Sequence, residues 1–155
     1  MNVGKNCTRV LHLAESDESV QVAADRMKQE NVGTLLVVDA EGKPSGILSD
    51  RDLALRVVAD GMDPRQTNVG QVMTAHPRWV TESTLIETAV ELMRELAVRR
   101  LPVVDKQERL VGILSVDDVL GLVTKELESL GRVIGWAHPG IALPATTPER
   151  KTTPV

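Results

Sequence analysis

The stretch Gly46–Leu55, GILSDRDLAL, returns as Gly112–Gly121, GILSVDDVLG, with a serine and an aspartate three residues apart in each copy. Worked outward, the two copies belong to a longer repeat. At the offset of 66 residues that separates Gly46 from Gly112, Val3 to Val57 align with Val69 to Val123 without a gap. Val3, Gly4 and Thr8 fall on Val69, Gly70 and Thr74; Ala23 and Met27 fall on Ala89 and Met93; Val32, Leu35, Val37, Val38 and Asp39 fall on Val98, Leu101, Val103, Val104 and Asp105. Shared periodicity can match a few apolar positions, but an ungapped match that includes glycine, serine, aspartate and threonine marks a duplication.

Each repeat reads the same way. Val20, Ala23, Ala24 and Met27 follow helical spacing, as do Leu85, Ala89, Leu92, Met93 and Leu96. TLLVVD and RLPVVD are β-branched runs closed by a polar turn, and SGIL and VGIL supply the second strand of a tight hairpin. Ser49 and Ser115 stop these strands, with helices expected at Leu53 to Val58 and Val119 to Leu127. VLHLAE and RWVTE offer a further short strand before each first helix. The expected fold is α+β, a β-α-β-β-α unit written twice and packed as a pseudo-twofold pair with two related clefts. The boundaries expected are 3–57 for the first unit, 58–68 for a linker carrying Gly61 and Pro64, 69–130 for the second unit, and 131–155 for a C-terminal segment, mobile beyond 136.

Composition narrows the function classes. The 155 residues contain no Phe or Tyr, so Val, Leu, Ile, Met and Ala must build the core. A net charge of −4 argues against a broad nucleic-acid footprint while leaving room for a local basic pocket. Cys7 has no partner for an internal disulfide, and no apolar run is long enough to span a bilayer. Together with the polar start MNVGKNCTR, these features lead us to expect a cytoplasmic protein with no membrane contact.

The arrangement NVGTLLVVD…GILSDRDLA and AVRRLPVVD…GILSVDDVL resembles a tandem pair of cystathionine β-synthase (CBS) domains, the Bateman module, and VGQVMT is similar to that family's lead-in segment. The resemblance covers about four fifths of the chain and is closest to the stand-alone prokaryotic kind, with no catalytic domain attached. It implies a regulatory module that binds an adenosine-containing ligand such as AMP, ADP, ATP or S-adenosylmethionine, often as a dimer, with no required cofactor and with a protein partner not identified by the sequence. In that family the aspartate holds the ribose hydroxyls and the serine or threonine contacts phosphate. Those roles fall on Asp52 and Asp118, and on Ser49 and Ser115. By the same resemblance Asp118 faces Thr8, Val10, Val32, Gly33 and Thr34, and Asp52 faces Thr74, His76, Arg78, Val98, Arg99 and Arg100. Gly33 is expected to leave space for adenine where Arg99 crowds the other cleft.

Plainer explanations stand beside these. Ser49 and Ser115 suit helix caps, with Asp52 and Asp118 placed favourably for the helix dipole. Arg99 and Arg100 fit a solvated strand start. His12, His76 and His138 have no metal-ligand spacing, so no metal site is expected, and Asp50, Arg51, Asp52, Asp117 and Asp118 have no nucleophile or oriented base among them, so no catalytic residues are expected. Cys7, aligned with Met73, reads as a small packing residue, Trp79 as packing at a strand start, and Trp136 as following the last helix. Val119, Leu120, Leu122, Val123, Leu127 and Leu130 make an apolar stripe too broad for one intramolecular face, which points to a homodimer. The rival to a sensor is a structural or dimerisation module with vestigial clefts.

Overall fold

The structure, a computed structural model, describes residues 1–137. The expected tail beyond 136, His138 included, lies almost wholly outside the described residues. The chain divides into a body of residues Met1–Leu120 and a second unit starting at Gly121.

Each repeat forms a helix, a β-hairpin and a second helix. The first repeat has α1 (Val20–Glu30), β1 (Thr34–Val38), β2 (Pro44–Ser49) and α2 (Asp50–Leu53), which widens into a π-helical turn over Ala54–Val58. The second has α3 (Val69–Val72), β3 (Thr74–Ala75), β4 (Val80–Thr81), α4 (Ile86–Leu96), β5 (Arg100–Val104), β6 (Leu110–Ser115) and α5 (Val116–Ala137). The second helices begin directly after Ser49 and Ser115, three residues earlier than the apolar periodicity suggested, because the serine-aspartate pair closes the first turn. Trp136 falls inside α5 rather than after it.

Duplication shows in matched details. Asn31 and Ala97 end α1 and α4 in the same left-handed conformation, both at φ 53°. Both hairpins carry a register shift at the equivalent place, between Val37 and Val38 and between Val103 and Val104.

The lead-in to each repeat crosses into the other repeat's sheet. One sheet has the order β1-β2-β3, the other β4-β5-β6. Strand β3, from the second repeat, pairs antiparallel with β2 of the first through Thr74 and Ile47. The counterpart pair, Thr8 with Ile113, places a residue of the first repeat beside β6. The chain then returns: Leu13 pairs parallel with Leu36, and β4 pairs parallel with β5.

This crossing shares the cores. Val69 and Val72 of α3 pack with Val20, Ala23, Met27, Leu35, Val37 and Leu48 of the first repeat. Fully buried Val3 is tied under the second repeat by its N–H to Thr84 O at 2.8 Å, as Val69 is tied to Glu18 O at 2.9 Å. A half this small buries too little apolar surface to fold by itself, and each half here lends residues to the other's core.

The two motif glycines follow from the crossing. A Cβ on Gly46 would collide with Met73 Sδ, and one on Gly112 would sit 2.8 Å from Cys7 Sγ and 3.1 Å from Thr8 O. The crossing segments run close over β2 and β6, so a side chain at Gly46 would have to displace the Met73 side chain and one at Gly112 would press on the Thr8 backbone. Among the described residues no helix is long and apolar enough to cross a membrane.

Candidate functional site

Each S-x-x-D motif builds a reciprocal cap. Ser49 Oγ accepts the Asp52 N–H at 3.2 Å, while Asp52 Oδ2 accepts the Ser49 N–H and hydroxyl, both at 2.8 Å. In the second repeat the same three bonds measure 3.1, 2.8 and 2.6 Å between Ser115 and Asp118. A serine hydroxyl has one proton, and here it goes to the carboxylate. A phosphate contact from Ser49 or Ser115 therefore requires the hydroxyl proton to turn away from the carboxylate, which leaves the two backbone bonds of the cap in place. Oδ2 is doubly engaged, which leaves Oδ1 of each aspartate as the oxygen open to other donors.

The two Oδ1 atoms meet different neighbours. Thr8, carried to β6 by the crossing segment, donates its hydroxyl to Asp118 Oδ1 at 3.2 Å. In the other half, Arg56 stands between the equivalent pair. Its Nη2 lies 3.5 Å from Asp52 Oδ1 and 3.4 Å from Thr74 Oγ1, and its Nη1 donates to Val72 O at 2.7 Å. Sequence reasoning passed over Arg56. The signal available was a break in the repeat, since position 122, its counterpart, is leucine.

The strand starts are fixed by the helix starts of their own repeats. Gly33 O accepts the Asp50 N–H and Arg99 O the Val116 N–H, both at 3.0 Å, and Thr34 and Arg100 pair with Ser49 and Ser115. The space expected at Gly33 is already taken: a Cβ there would lie 2.8 Å from Asp50 Oδ2. Asp50 also accepts the Arg51 N–H through Oδ1 at 2.8 Å. Its counterpart is Val116, so Gly33 with Asp50 in one repeat answers Arg99 with Val116 in the other. The hydroxyl oxygen of Thr34 is buried with no hydrogen-bond partner.

The remaining candidates lie on the surface or its margin. Val10 is 68% exposed, and Val98, Arg99, His76 and Arg78 are exposed as well. Val32 is half-buried, its N–H bonded to Met27 O at 3.0 Å. His76 takes a left-handed backbone, φ 49°, and bonds to Ser45 O at 2.9 Å, which keeps the segment after β3 against β2. Trp79 is half-buried just before β4. Beneath Thr8, burial pushes the half-buried Cys7 thiol above its ordinary range, so it packs as a neutral group against Gly112. Among the described residues no group of three His, Cys, Asp or Glu is placed to hold a metal ion.

The family model for the CBS domain matches twice, over residues 7–59 and 69–125. The chain belongs to the CBS domain family. Among curated relatives, the CBS domain-containing protein YhcV of Bacillus subtilis is 43% identical over 103 residues, which are 66% of this chain and 71% of YhcV. Arabinose 5-phosphate isomerase KdsD of Pseudomonas aeruginosa is 35% identical over 77% of this chain, a stretch that makes up only 35% of that enzyme. Several relatives are thus much longer than the matched CBS pair. Among solved structures, CBSX2 in complex with AMP superposes with a TM-score of 0.68 at 32% identity, covering 80% of this chain and 96% of that one. The CBS domain pair of MJ0100 in complex with 5′-methylthioadenosine and S-adenosyl-L-methionine gives 0.73 at 25% identity, covering 81% and 98%.

Proposed function

We propose that this CBS pair is a non-enzymatic sensor that binds an adenosine-containing ligand, of the class AMP, ADP, ATP or S-adenosylmethionine, between its two repeats. Binding would be passed to a protein partner or through a homodimer. The observation that carries the reading is the pairing of Thr8 with Asp118 Oδ1. The cap orients the carboxylate and the crossing strand brings a hydroxyl to its one open oxygen, a site where a ribose hydroxyl can replace or join Thr8. The ligands of CBSX2 and MJ0100 supply the chemical class. The residues assigned to the Asp118 cleft are Ser115, Thr8, Val10, Val32, Gly33 and Thr34; those assigned to the Asp52 cleft are Ser49, Thr74, His76, Arg78, Val98, Arg99 and Arg100.

The homodimer would use the apolar side of α5, where Val123, Leu127, Leu130, Val133 and Ile134 are each about half or more exposed. Buried together, two such faces would remove on the order of 1,000 Å² from water, the lower bound for a specific interface. Sedimentation at micromolar concentration should return twice the chain mass.

A thermal-shift series tests the sensor. A ligand bound by the folded state alone adds about 2.7 kcal/mol at a hundredfold excess over its Kd, so AMP, ADP, ATP or S-adenosylmethionine should raise Tm by several degrees. No shift with any of them, in protein free of absorbance near 260 nm, would leave the structural module as the reading.

A further inference from the structure

We propose that Arg9 is a positioning residue for the candidate site: its guanidinium stands in for a missing strand bond and so holds Thr8 at Asp118. This rests on the nucleotide-sensor reading and adds the residue that sets the geometry of its central contact.

The two crossing segments are fastened differently. In the Asp52 half the segment forms β3, with Ala75 opposite Gly46 and Thr74 opposite Ile47, and the pairing continues through the His76 N–H to Ser45 O at 2.9 Å. At the repeat offset, the corresponding bond in the Asp118 half would run from the Val10 N–H to Val111 O. Among the described residues no backbone bond joins these two, and the pairing is reduced to the isolated bridge of Thr8 with Ile113. Val111 O accepts instead from Arg9 Nη1 at 3.2 Å.

The same guanidinium reaches two further acceptors. Its Nη2 donates to Gly4 O and to Glu82 Oε1, both at 2.7 Å. One planar fork thereby ties residue 9 to β6, to the start of its own repeat and to the turn before α4. The counterpart of Arg9 is Ala75, whose methyl group has no donor and whose segment is fastened by main-chain bonds. Thr8 is the chain neighbour of Arg9, so the pin fixes where the Thr8 hydroxyl meets Asp118 Oδ1. The Arg9 and Glu82 side chains are 48% and 43% exposed, and an ion pair so placed adds little to folding stability. What it supplies is position.

Amide exchange followed by NMR and calorimetry with AMP, both on the full chain, test this. Arg9→Ala should speed exchange of the Thr8 and Ile113 amides about tenfold or more, leave the His76 amide within about twofold of the parent, and weaken AMP binding about threefold or more. Lys43→Ala removes a comparably exposed ion pair, with Glu108, and should leave AMP affinity within about twofold of the parent. Unchanged exchange at Thr8 and Ile113, faster exchange with AMP affinity unchanged, or an equal loss of affinity in Lys43→Ala would overturn the proposal while leaving the sensor intact. No AMP binding by the parent, with none of the other three ligands bound, would overturn both. Arg9→Lys keeps the charge but not the fork and should show the same changes at smaller size. If Arg9→Ala fails to fold by circular dichroism, parent-like exchange and affinity in Arg9→Lys would overturn the proposal.

Discussion

Thr8 and Asp118 lie 110 positions apart, yet the Thr8 hydroxyl donates to Asp118 Oδ1 at 3.2 Å. The bond joins the first segment of one repeat to the helix start of the other. Thr8→Val keeps the shape and removes the donor. At this exposed site it should change folding stability by less than about 1 kcal/mol. Asp118→Asn, which keeps an acceptor but loses the charge at the helix start, should cost about 0.3–1 kcal/mol of stability and weaken AMP binding ten- to a hundredfold, because hydrogen bonds to a charged group are worth about 1.5–3 kcal/mol. Urea denaturation and calorimetry on the same samples separate the two effects.

Gly46→Ala and Gly112→Ala should each destabilise the fold by about 1–3 kcal/mol, the ordinary cost of overpacking a tight contact. Their rescue should differ. The nearest atoms at Gly46 all belong to the Met73 side chain, so Met73→Ala should recover part of the loss in a double-mutant cycle. At Gly112 the backbone oxygen of Thr8 stands 3.1 Å away whatever residue 7 is, so Cys7→Ala should recover less.

Glu18 forms a two-pronged pair with Arg26, including Nη2 to Oε2 at 2.8 Å, and Arg26 also donates to Leu13 O at 2.8 Å. The hydrogen bond from Arg26 holds the Glu18 carboxyl below its ordinary value of 4.5. A lowered acid pKa stabilises the fold above the unfolded-state value, and that contribution fades as pH falls through the folded-state value. Glu18→Gln should therefore cost about 1–2 kcal/mol at pH 7. The gap between variant and parent should narrow steadily below pH 4.5 in denaturant titrations.

Ala97 ends α4 at φ 53°, a conformation in which a Cβ is strained. Ala97→Gly should raise stability by about 0.5–1 kcal/mol, read as a higher denaturation midpoint with unchanged slope. The same change at Asn31, a residue type that tolerates this conformation, should gain less.

The sequence by itself determined the duplication and everything that repeats within a few residues. The hairpins follow from neighbouring β-branched runs and the serine-aspartate caps close between positions three apart, so residue type and spacing were enough to read them, whereas the left-handed end of α4 at Ala97 carried no such signal. The S-x-x-D caps also located the candidate site. Tertiary structure decided what the site contains. That Thr8 reaches Asp118, that Met73 and Cys7 cover the two glycines, and that Asp50 fills the gap at Gly33 all depend on how crossing segments and strand starts lie against other elements. No periodicity encodes such contacts, because a side chain's partner across a sheet is set by pairing register rather than by distance along the chain. Arg56 shows the limit most plainly. Its exchange with leucine at 122 is visible in the repeat, but only the fold places the guanidinium between Asp52 and Thr74, where a long flexible side chain can bridge two groups that in the other half meet directly.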